Sequence, residues 1–442
     1  MKRIITLVAA LATLAVPAAT AQKINSESFK AKLEKSNADI ANPKKSGKAA
    51  TWFSRGKVCI DAIVAPTKNK IFSGLGVDML QMSMGVAPTE VNGDIHSFEW
   101  VDVHTKGGKV VAWVIKKDVF ENAYEIAKEA FLKAYELDPA SAPKIKTALE
   151  ELINHYSELG SVSLDITEYK TAIDVYMKAV GLQENPAIGK VDPRYYFFAG
   201  QLAAFLGAQD VQYFIDGEKY LTKANELGYN DEQGNLYYFL FHCYYGQREA
   251  NKENVVKAKN ALLEGIEKYP RNERIMEGLI QLYTSEEGIG DPADLVDRID
   301  KMLTEKPDNA DLWFARGQVF FKLKNFDECI KSFVKINELK PNDYDTNFYL
   351  GYFHLAKGDE VNRKFNSSDY TANADYEAAR KEVNNTYMKA LPWFEKAIEL
   401  KPDSVDCAEY LKILCFRLRN EDGMMDKYNK YNALFKKLKG IQ

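Results

Sequence analysis

The chain has few of the residues from which metal sites and catalytic centres are usually built. Its 442 residues include only five cysteines and five histidines, each isolated along the sequence. They form no CxxC, HExxH or HxH pair, the spacings that zinc sites and metallopeptidases use. The sequence therefore predicts no metal, no cofactor and no catalytic residue. We expect buried free thiols at Cys59, Cys243, Cys329, Cys407 and Cys415.

An excess of charge of one sign is also missing. The formal net charge is -4, and the lysines and arginines are scattered rather than clustered. Proteins that bind nucleic acid usually carry a basic face. The charge pattern therefore argues against a nucleic-acid partner.

Long apolar runs are absent except at the start of the chain. Lys2 and Arg3 precede about 13 apolar residues, and Ala19-Thr20-Ala21 follows them. Such a run is too short to span a bilayer and has the order of charged, apolar and small residues of a secretory signal. We expect a signal peptide over residues 1–21, export to the periplasm, possible association with the outer membrane, and no membrane-spanning segment in the mature chain.

What the sequence has in abundance is amphipathic helix rich in aromatic residues, and residues 310–341 give the clearest example. Trp313, Gly317 and Phe320 follow i, i+4, i+7 spacing, which places them on one helix face. Cys329, Phe333 and Ile336 repeat that spacing after a turn at Lys324-Asn325, and Pro341 ends the second helix. The pattern predicts two short helices packed together, with Gly317 at their closest approach.

This order of aromatic, glycine, small and proline positions resembles the tetratricopeptide repeat, a helix-turn-helix unit of 34 residues. Arg316 and Cys329 depart from it, since the family usually has Leu and Ala there. The proline-to-proline interval from Pro307 to Pro341 is also one repeat. The resemblance implies an all-α fold, a right-handed superhelical solenoid of about eight helix pairs, with a small β-hairpin insertion in the first repeat.

The repeat pattern also suggests a domain organisation. After the signal peptide, residues 22–48 form a polar helix and linker, and residues 49–139 form a first repeat interrupted at about 64–117. Residues 140–442 contain the remaining repeats, a helical insertion at about 359–387 and a C-terminal capping repeat. In the first insertion, two β-branched segments flank a glycine turn and predict a two-stranded hairpin from about Ser97 to Lys116. Since it supplies none of the repeat positions, we expect the repeats to fold without residues 68–114.

Two weaker patterns in the first insertion suggest metals. Met79, Met82 and Met84 could bind copper(I) through their thioethers, although methionine is also a common filler of apolar contacts. His96 and His104 could share one face of a strand, but no third ligand is evident. Packing is the preferred interpretation of both patterns.

The resemblance implies a binding surface, because in this family the first helices line a concave side that binds peptides or protein segments. Carried over by position, the partner-binding residues lie on four first helices. They are Phe53, Lys57, Phe197, Gln201, Phe314, Gln318, Phe348 and Tyr352. We expect Phe314, Phe348 and Tyr352 to form one exposed apolar strip along this groove.

The interpretation that follows is a non-enzymatic periplasmic scaffold that binds a protein or peptide of the cell envelope and takes part in an envelope assembly. One alternative is a glycan-binding protein of the envelope, because exposed aromatic rings also stack on sugars and related outer-membrane glycan binders use similar repeats. Another is an envelope enzyme whose site lies within residues 64–117.

Overall fold

The computed structural model describes residues 24–229 and 231–441. The signal peptide predicted over residues 1–21 lies outside this described part. Contacts divide the chain into two compact units, one ending at Tyr229 and one comprising the rest of the described chain. Each unit is built mainly of paired helices.

The first unit begins with two helices that precede the repeats and contains the insertion. Its elements are α1 (Ser26–Ala41), α2 (Pro43–Ser46), α3 (Ala49–Val64), α4 (Val77–Met84), β1 (Glu90–Asn92), β2 (Ile95–Ser97), β3 (Val101–Lys106), β4 (Lys109–Ile115), α5 (Ala123–Leu137), α6 (Ala142–Asp165), α7 (Tyr169–Gln183), α8 (Pro193–Leu206) and α9 (Val211–Glu226). A 3-10 turn, Pro139–Ser141, precedes α6. The helix pairs are α3 with α5, α6 with α7, and α8 with α9.

The second unit contains helices only among its described residues. They are α10 (Asn235–Gly246), α11 (Glu253–Lys268), α12 (Glu273–Ser285), α13 (Pro292–Glu305), α14 (Ala310–Lys322), α15 (Phe326–Leu339), α16 (Tyr344–Ser367), α17 (Asn373–Met388), α18 (Leu391–Leu400), α19 (Val405–Arg417) and α20 (Met424–Lys439). The pairs are α10 with α11, α12 with α13, α14 with α15, α16 with α18, and α19 with α20. The additional helix α17 also packs against α16. Over its described residues the chain thus has eight helix pairs, which confirms the predicted repeat architecture.

Close approach of a glycine to an aromatic ring holds the best-formed pairs together. A Cβ atom built on Gly317 of α14 would lie 2.5 Å from Cε2 of Phe333 on α15. Equivalent approaches join Gly56 to Phe131 and Gly351 to Phe394. Because no side chain fits in that space, the glycine is required there although it weakens the helix by about 1 kcal/mol.

The insertion is larger than the predicted hairpin and belongs to the core. The hairpin is present as β3 and β4, and β1 and β2 extend it to a four-stranded antiparallel sheet in the order β1-β2-β3-β4. Trp113 of β4 is only 2% exposed, and it shares one core cluster with Phe98, Ile60 of α3 and Leu152 of α6. The sheet therefore packs on the repeats instead of standing apart from them.

The second predicted insertion, at about 359–387, covers the end of α16 and most of α17. α16 continues to Ser367, and α17 packs against it. Of the α17 side chains, only Val383, Thr386 and Tyr387 are buried. This part of the chain is therefore a largely solvent-exposed helical extension of the second unit.

All five cysteines are buried and none forms a disulfide, as predicted. Burial raises the pKa of Cys59 to about 11 and that of Cys407 to about 12. Because the thiolate is the reactive form, these thiols are chemically inert at neutral pH.

His155 on α6 gives the first unit a predictable sensitivity to acid. Burial lowers its pKa from 6.5 to about 4, an effect that nearby Glu151 opposes and Lys68 reinforces. In the unfolded chain a histidine titrates near 6.5, so between pH 6.5 and 4 the unfolded state binds a proton that the folded state does not. The contribution of neutral His155 to stability is therefore fully present above pH 6.5 and is lost as the pH decreases through this window.

We expect the parent chain to lose about 1 to 2 kcal/mol more unfolding free energy than His155→Gln between pH 7 and pH 5. Urea unfolding at the two pH values, monitored by hydrogen exchange of α6, measures the difference. The other titrating groups are common to both proteins and cancel. Equal losses in the two proteins would contradict a neutral buried His155.

Candidate functional site

Two of the predicted partner-binding residues, Phe53 and Lys57, lie on α3 in the first unit. The Phe53 ring packs edge to face on the buried Phe131, with 5.7 Å between ring centroids. The ammonium of Lys57 lies 3.0 Å from a carboxylate oxygen of Glu151 on α6, which also pairs with Lys68. These hydrogen bonds, the one from Lys68 first, lower the pKa of Glu151 despite its partial burial. Lys57 thus connects two repeats of the chain itself.

Phe197 and Gln201 lie on α8 of the same unit. The Phe197 side chain is 6% exposed and stacks on Tyr229 at 4.3 Å between centroids. Gln201 is half-buried. Phe197, which was predicted to bind a partner, is therefore a core residue.

Phe314 on α14 is also a core residue rather than an exposed anchor. It is 6% exposed, and the rings of Phe333 and Tyr349 lie 5.5 and 5.9 Å from it. The guanidinium of Arg271 covers the remaining ring face at 5.0 Å from the centroid. The expected exposure of Phe314 is therefore wrong, while its neighbour Gln318 on the same helix is half-buried.

Phe348 and Tyr352, in contrast, belong to a partly exposed group of rings that we call the aromatic strip. It consists of five half-buried side chains on the first helices of three successive pairs. They are Phe321 of α14, Tyr344, Phe348 and Tyr352 of α16, and Tyr410 of α19. Consecutive centroids, in the order Phe321, Tyr352, Tyr410, Phe348, Tyr344, are 5.6 to 5.8 Å apart. The strip is therefore continuous across three repeats of the second unit.

Buried residues hold the strip from beneath. Phe394 of α18, which is fully buried, stacks on Tyr410 at 5.6 Å with nearly parallel rings and meets Phe348 edge to face at 5.7 Å. At the end of the strip, the hydroxyls of Tyr344 and Ser404 are 2.6 Å apart and hydrogen-bonded. Ser404 also caps α19 by accepting the Cys407 N–H. The rings consequently have fixed positions, which reduces the entropy lost when a partner binds.

Charges of both signs border the strip, and the Lys401 ammonium lies 5.2 Å from the centroid of the Tyr344 ring. Asp345 and Asp406, in the first turns of α16 and α19, are exposed and have no ion-pair partner among the described residues. Burial raises the pKa of Tyr410, and Tyr352, Asp406 and Glu409 raise it further by unfavourable interaction with the phenolate. The tyrosine therefore stays neutral and can donate a hydrogen bond at physiological pH.

Phe321, Tyr344 and Tyr410 were not among the residues predicted from the sequence. Phe321 and Tyr344 lie one turn beyond the positions that were carried over, on the same helix faces. Tyr410 lies on the first helix α19, which has Lys412 at the repeat position that Gly317 occupies in α14 and Gly351 in α16. Without this glycine the repeat could not be aligned to α19 from the sequence. A search for aromatic residues at every first-helix position, without requiring the glycine, would have found all three.

Chemistry of other kinds has little support in the described residues. They contain no group of three or more His, Cys, Asp or Glu side chains placed to hold a metal ion. In the sheet, His96 lies opposite Val103 and His104 opposite Ile95, so the two histidines are not cross-strand partners. None of the helices described is both long and apolar enough to cross a membrane.

Comparison with known proteins places the clearest pair in a family. The family model for the tetratricopeptide repeat matches residues 310–343, which contain α14 and α15. No curated protein matches the chain in sequence.

Several solved structures are similar to the chain. One is a TPR repeats protein from Bacteroides fragilis NCTC 9343, at 17% identity and a TM-score of 0.27, with 59% of this chain and 97% of that chain covered. Another is the C-terminal part of a TPR repeat-containing protein from Cytophaga hutchinsonii, at 14% identity, a TM-score of 0.34 and coverages of 64% and 95%. A third is YrrB, described as a TPR protein with an unusual peptide-binding site, at 17% identity, a TM-score of 0.24 and coverages of 64% and 98%.

Proposed function

We propose that this chain, which is a tetratricopeptide-repeat protein, is a non-enzymatic scaffold of the periplasm that binds a segment of another envelope protein. Repeats of this family bind protein or peptide partners on their first helices. The proposed surface is the aromatic strip of the second unit together with Gln318, which lies three residues before Phe321 on α14. Export rests on the predicted signal peptide over residues 1–21.

The observation that carries the proposal is the continuity of the strip. Five half-buried rings from three successive first helices are in contact, whereas Phe197 and Phe314 on the same class of helix are in the core. Binding energy in protein interfaces is concentrated on a few aromatic anchors that are held rigidly. The strip therefore supports binding better than the residues carried over by position alone.

Two carboxylates beside the strip favour one kind of partner. Asp345 and Asp406 stand unpaired beside it, so a segment with Lys or Arg near its apolar side chains would gain electrostatic complementarity. We therefore propose an extended or helical segment with apolar anchors flanked by basic residues.

The glycan alternative has less support. Sugars stack on open ring faces, but Tyr410 meets both Phe348 and Tyr352 edge to face, at interplanar angles of 72° and 79°. Phe394 covers one face of the Tyr410 ring. These rings offer edges and hydroxyl groups rather than a flat platform.

The test is loss of partner binding when two rings of the strip are removed. Cross-linking of the envelope with mature chain as bait identifies the partner, and calorimetry with the purified partner gives the affinity. We expect the double variant Tyr352→Ala/Tyr410→Ala to bind about 2 kcal/mol more weakly, because two anchors are lost. Circular dichroism shows whether the helices remain.

The matched control is Tyr376→Ala on α17, a tyrosine of the same unit that is exposed and lies outside the strip. It should bind the partner as the parent does. Parental affinity of a folded Tyr352→Ala/Tyr410→Ala variant would contradict the proposed surface. Capture of oligosaccharide instead of protein by the parent would favour the glycan alternative.

A further inference from the structure

Two arginines occupy the same position in different repeats and therefore allow a direct comparison. Arg55 on α3 and Arg316 on α14 each follow a tryptophan by three residues and precede a glycine. The indole N–H of Trp52 donates to the Ser46 carbonyl at 2.7 Å, and that of Trp313 donates to the Pro307 carbonyl at 2.8 Å. Each carbonyl lies six residues earlier in the chain. The local structures thus coincide.

Arg316 is neutralised by the chain itself. Its guanidinium donates to Asp300 of α13 at 2.8 Å and to Glu328 of α15 at 3.1 Å, and it also donates to the Ser332 hydroxyl. Its side chain is 14% exposed. A largely buried guanidinium in this position therefore has two carboxylate partners.

Arg55 has neutral partners instead. Its Nη1 donates to the Ser36 hydroxyl at 2.7 Å and to the side-chain oxygen of Asn37 at 2.6 Å, both on α1. Ser36 is itself held by donating to the Leu33 carbonyl. No carboxylate of the described chain lies within 4.0 Å of Arg55, although this residue is half-buried. The guanidinium is thus fixed in place, with Nε and Nη2 available to an external acceptor.

Arg55 lies in a cleft between α1 and α3 that is strongly basic. The cleft has a volume of about 570 Å³, and four lysines line it together with Arg55: Lys32, Lys35, Lys45 and Lys48. Its one acidic residue, Asp39, pairs with Lys45 at 2.6 Å. Among the described residues, no carboxylate forms an ion pair with Lys32, Lys35 or Lys48. In a chain of formal charge -4, this cleft concentrates four cations without carboxylate partners.

We propose that this basic cleft binds a ligand that carries phosphate groups. Ser36, Thr51 and Ser54 add hydroxyl groups to the cationic lining, and its apolar residues are only Ala50 and Val58. Such a lining has charge and hydrogen bonds for an oxyanion but no pocket for the apolar side chains of a peptide. The fixed Arg55 fork suits bidentate contact with phosphate, and lysines add point charges. The site is independent of the aromatic strip.

The source of the phosphate is either a soluble compound or a lipid headgroup, and two measurements distinguish them. Calorimetry at low ionic strength, where exposed charges are least screened, uses inorganic pyrophosphate and the mature chain. Sedimentation uses vesicles of phosphatidylglycerol, with phosphatidylcholine vesicles as the neutral comparison. We expect binding in at least one of the two, weakened by added salt.

Variants locate the binding. Arg55→Gln and the double variant Lys35→Gln/Lys48→Gln should each lower the affinity about 10-fold, the usual effect of losing a charge-assisted hydrogen bond. Lys30→Gln on the same α1 helix is the matched control, since Lys30 pairs with Glu27 and lies outside the cleft. Its affinity should stay within about twofold of the parent. Because Lys35 and Lys48 make no side-chain hydrogen bond in the described structure, their variant remains informative if Arg55→Gln folds poorly.

The results of these binding measurements support or overturn the phosphate site as follows. Binding of pyrophosphate alone indicates a soluble ligand, and binding of phosphatidylglycerol alone indicates a headgroup. No binding of either by the parent would overturn the site. Undiminished binding by the cleft variants would show that the binding site lies elsewhere. Tighter binding of poly-glutamate than of pyrophosphate would show that the ligand is an acidic polypeptide and not a phosphate compound.

Discussion

Replacing Phe333 by alanine is expected to lower the unfolding free energy of the second unit by about 3 to 5 kcal/mol. The side chain is 1% exposed, and the rings of Phe314, Tyr349 and Phe353 surround it at 4.7 to 5.5 Å. Its edge fills the space that Gly317 leaves open. Alanine would leave a cavity that these rigid rings cannot close, because each of them packs on others.

Urea unfolding combined with hydrogen exchange measures this loss within α14, α15 and α16. The matched control is Phe416→Ala on α19, since Phe416 is 46% exposed in the same unit. That variant should change the unfolding free energy by less than about 1 kcal/mol. Equal stabilities for the two variants would show that Phe333 is not the centre of this interhelix core.

The interlock around Phe333 could be predicted from sequence because it is a local property. Gly317 and Phe333 are 16 residues apart in two adjacent helices, so the periodicity of those helices alone brings the glycine and the ring together. The same periodicity predicted the pairs of the chain and their order. The spacing of apolar residues indicates which helix face a side chain occupies. This information was sufficient to predict the repeat fold.

Depth of burial is a different property, and it explains the error at Phe314. The residue lies on the helix face that was expected, but Arg271 from a preceding pair and Tyr349 from the following one cover its ring. Whether a first-helix side chain is exposed thus depends on neighbours some 40 residues away in sequence. Phe348 lies at the corresponding position of the next repeat, 34 residues later, and is half-buried, as is Tyr352 one turn further along α16.

The first insertion shows a second limit of the sequence. β1 and β2 have three residues each, too few for an alternating pattern to be recognised. The apolar residues of β3 and β4 predicted a hairpin, but they do not specify the surface on which it packs. β4 packs on α6, and the sheet shares one core cluster with α3 and α5. The helical spacing of these helices is satisfied whether or not a sheet covers them.

Deleting residues 68–114 is accordingly expected to unfold the first unit, which reverses the expectation from sequence. The segment contributes ten buried apolar side chains to its core, the largest being Trp113 and Phe98. Loss of one buried tryptophan costs about 3 to 5 kcal/mol, and a whole domain is stable by only about 5 to 15 kcal/mol. The free energy lost when these ten side chains are removed together therefore exceeds the stability of the unit, even when a Gly-Ser bridge keeps the ends connected.

Hydrogen exchange resolves the outcome by unit. In the deletion variant, amides of α3, α5 and α6 should exchange as in an unfolded chain, while α14 to α16 keep parental protection. The control replaces residues 89–96 alone by a Gly-Ser bridge. These residues are exposed or half-buried and include β1, so the core side chains stay and protection in α6 should persist. Parental protection of α6 after the full deletion would instead show that the repeats are stable without the sheet. The burial of Trp113 would then not stabilise the helices against which it packs.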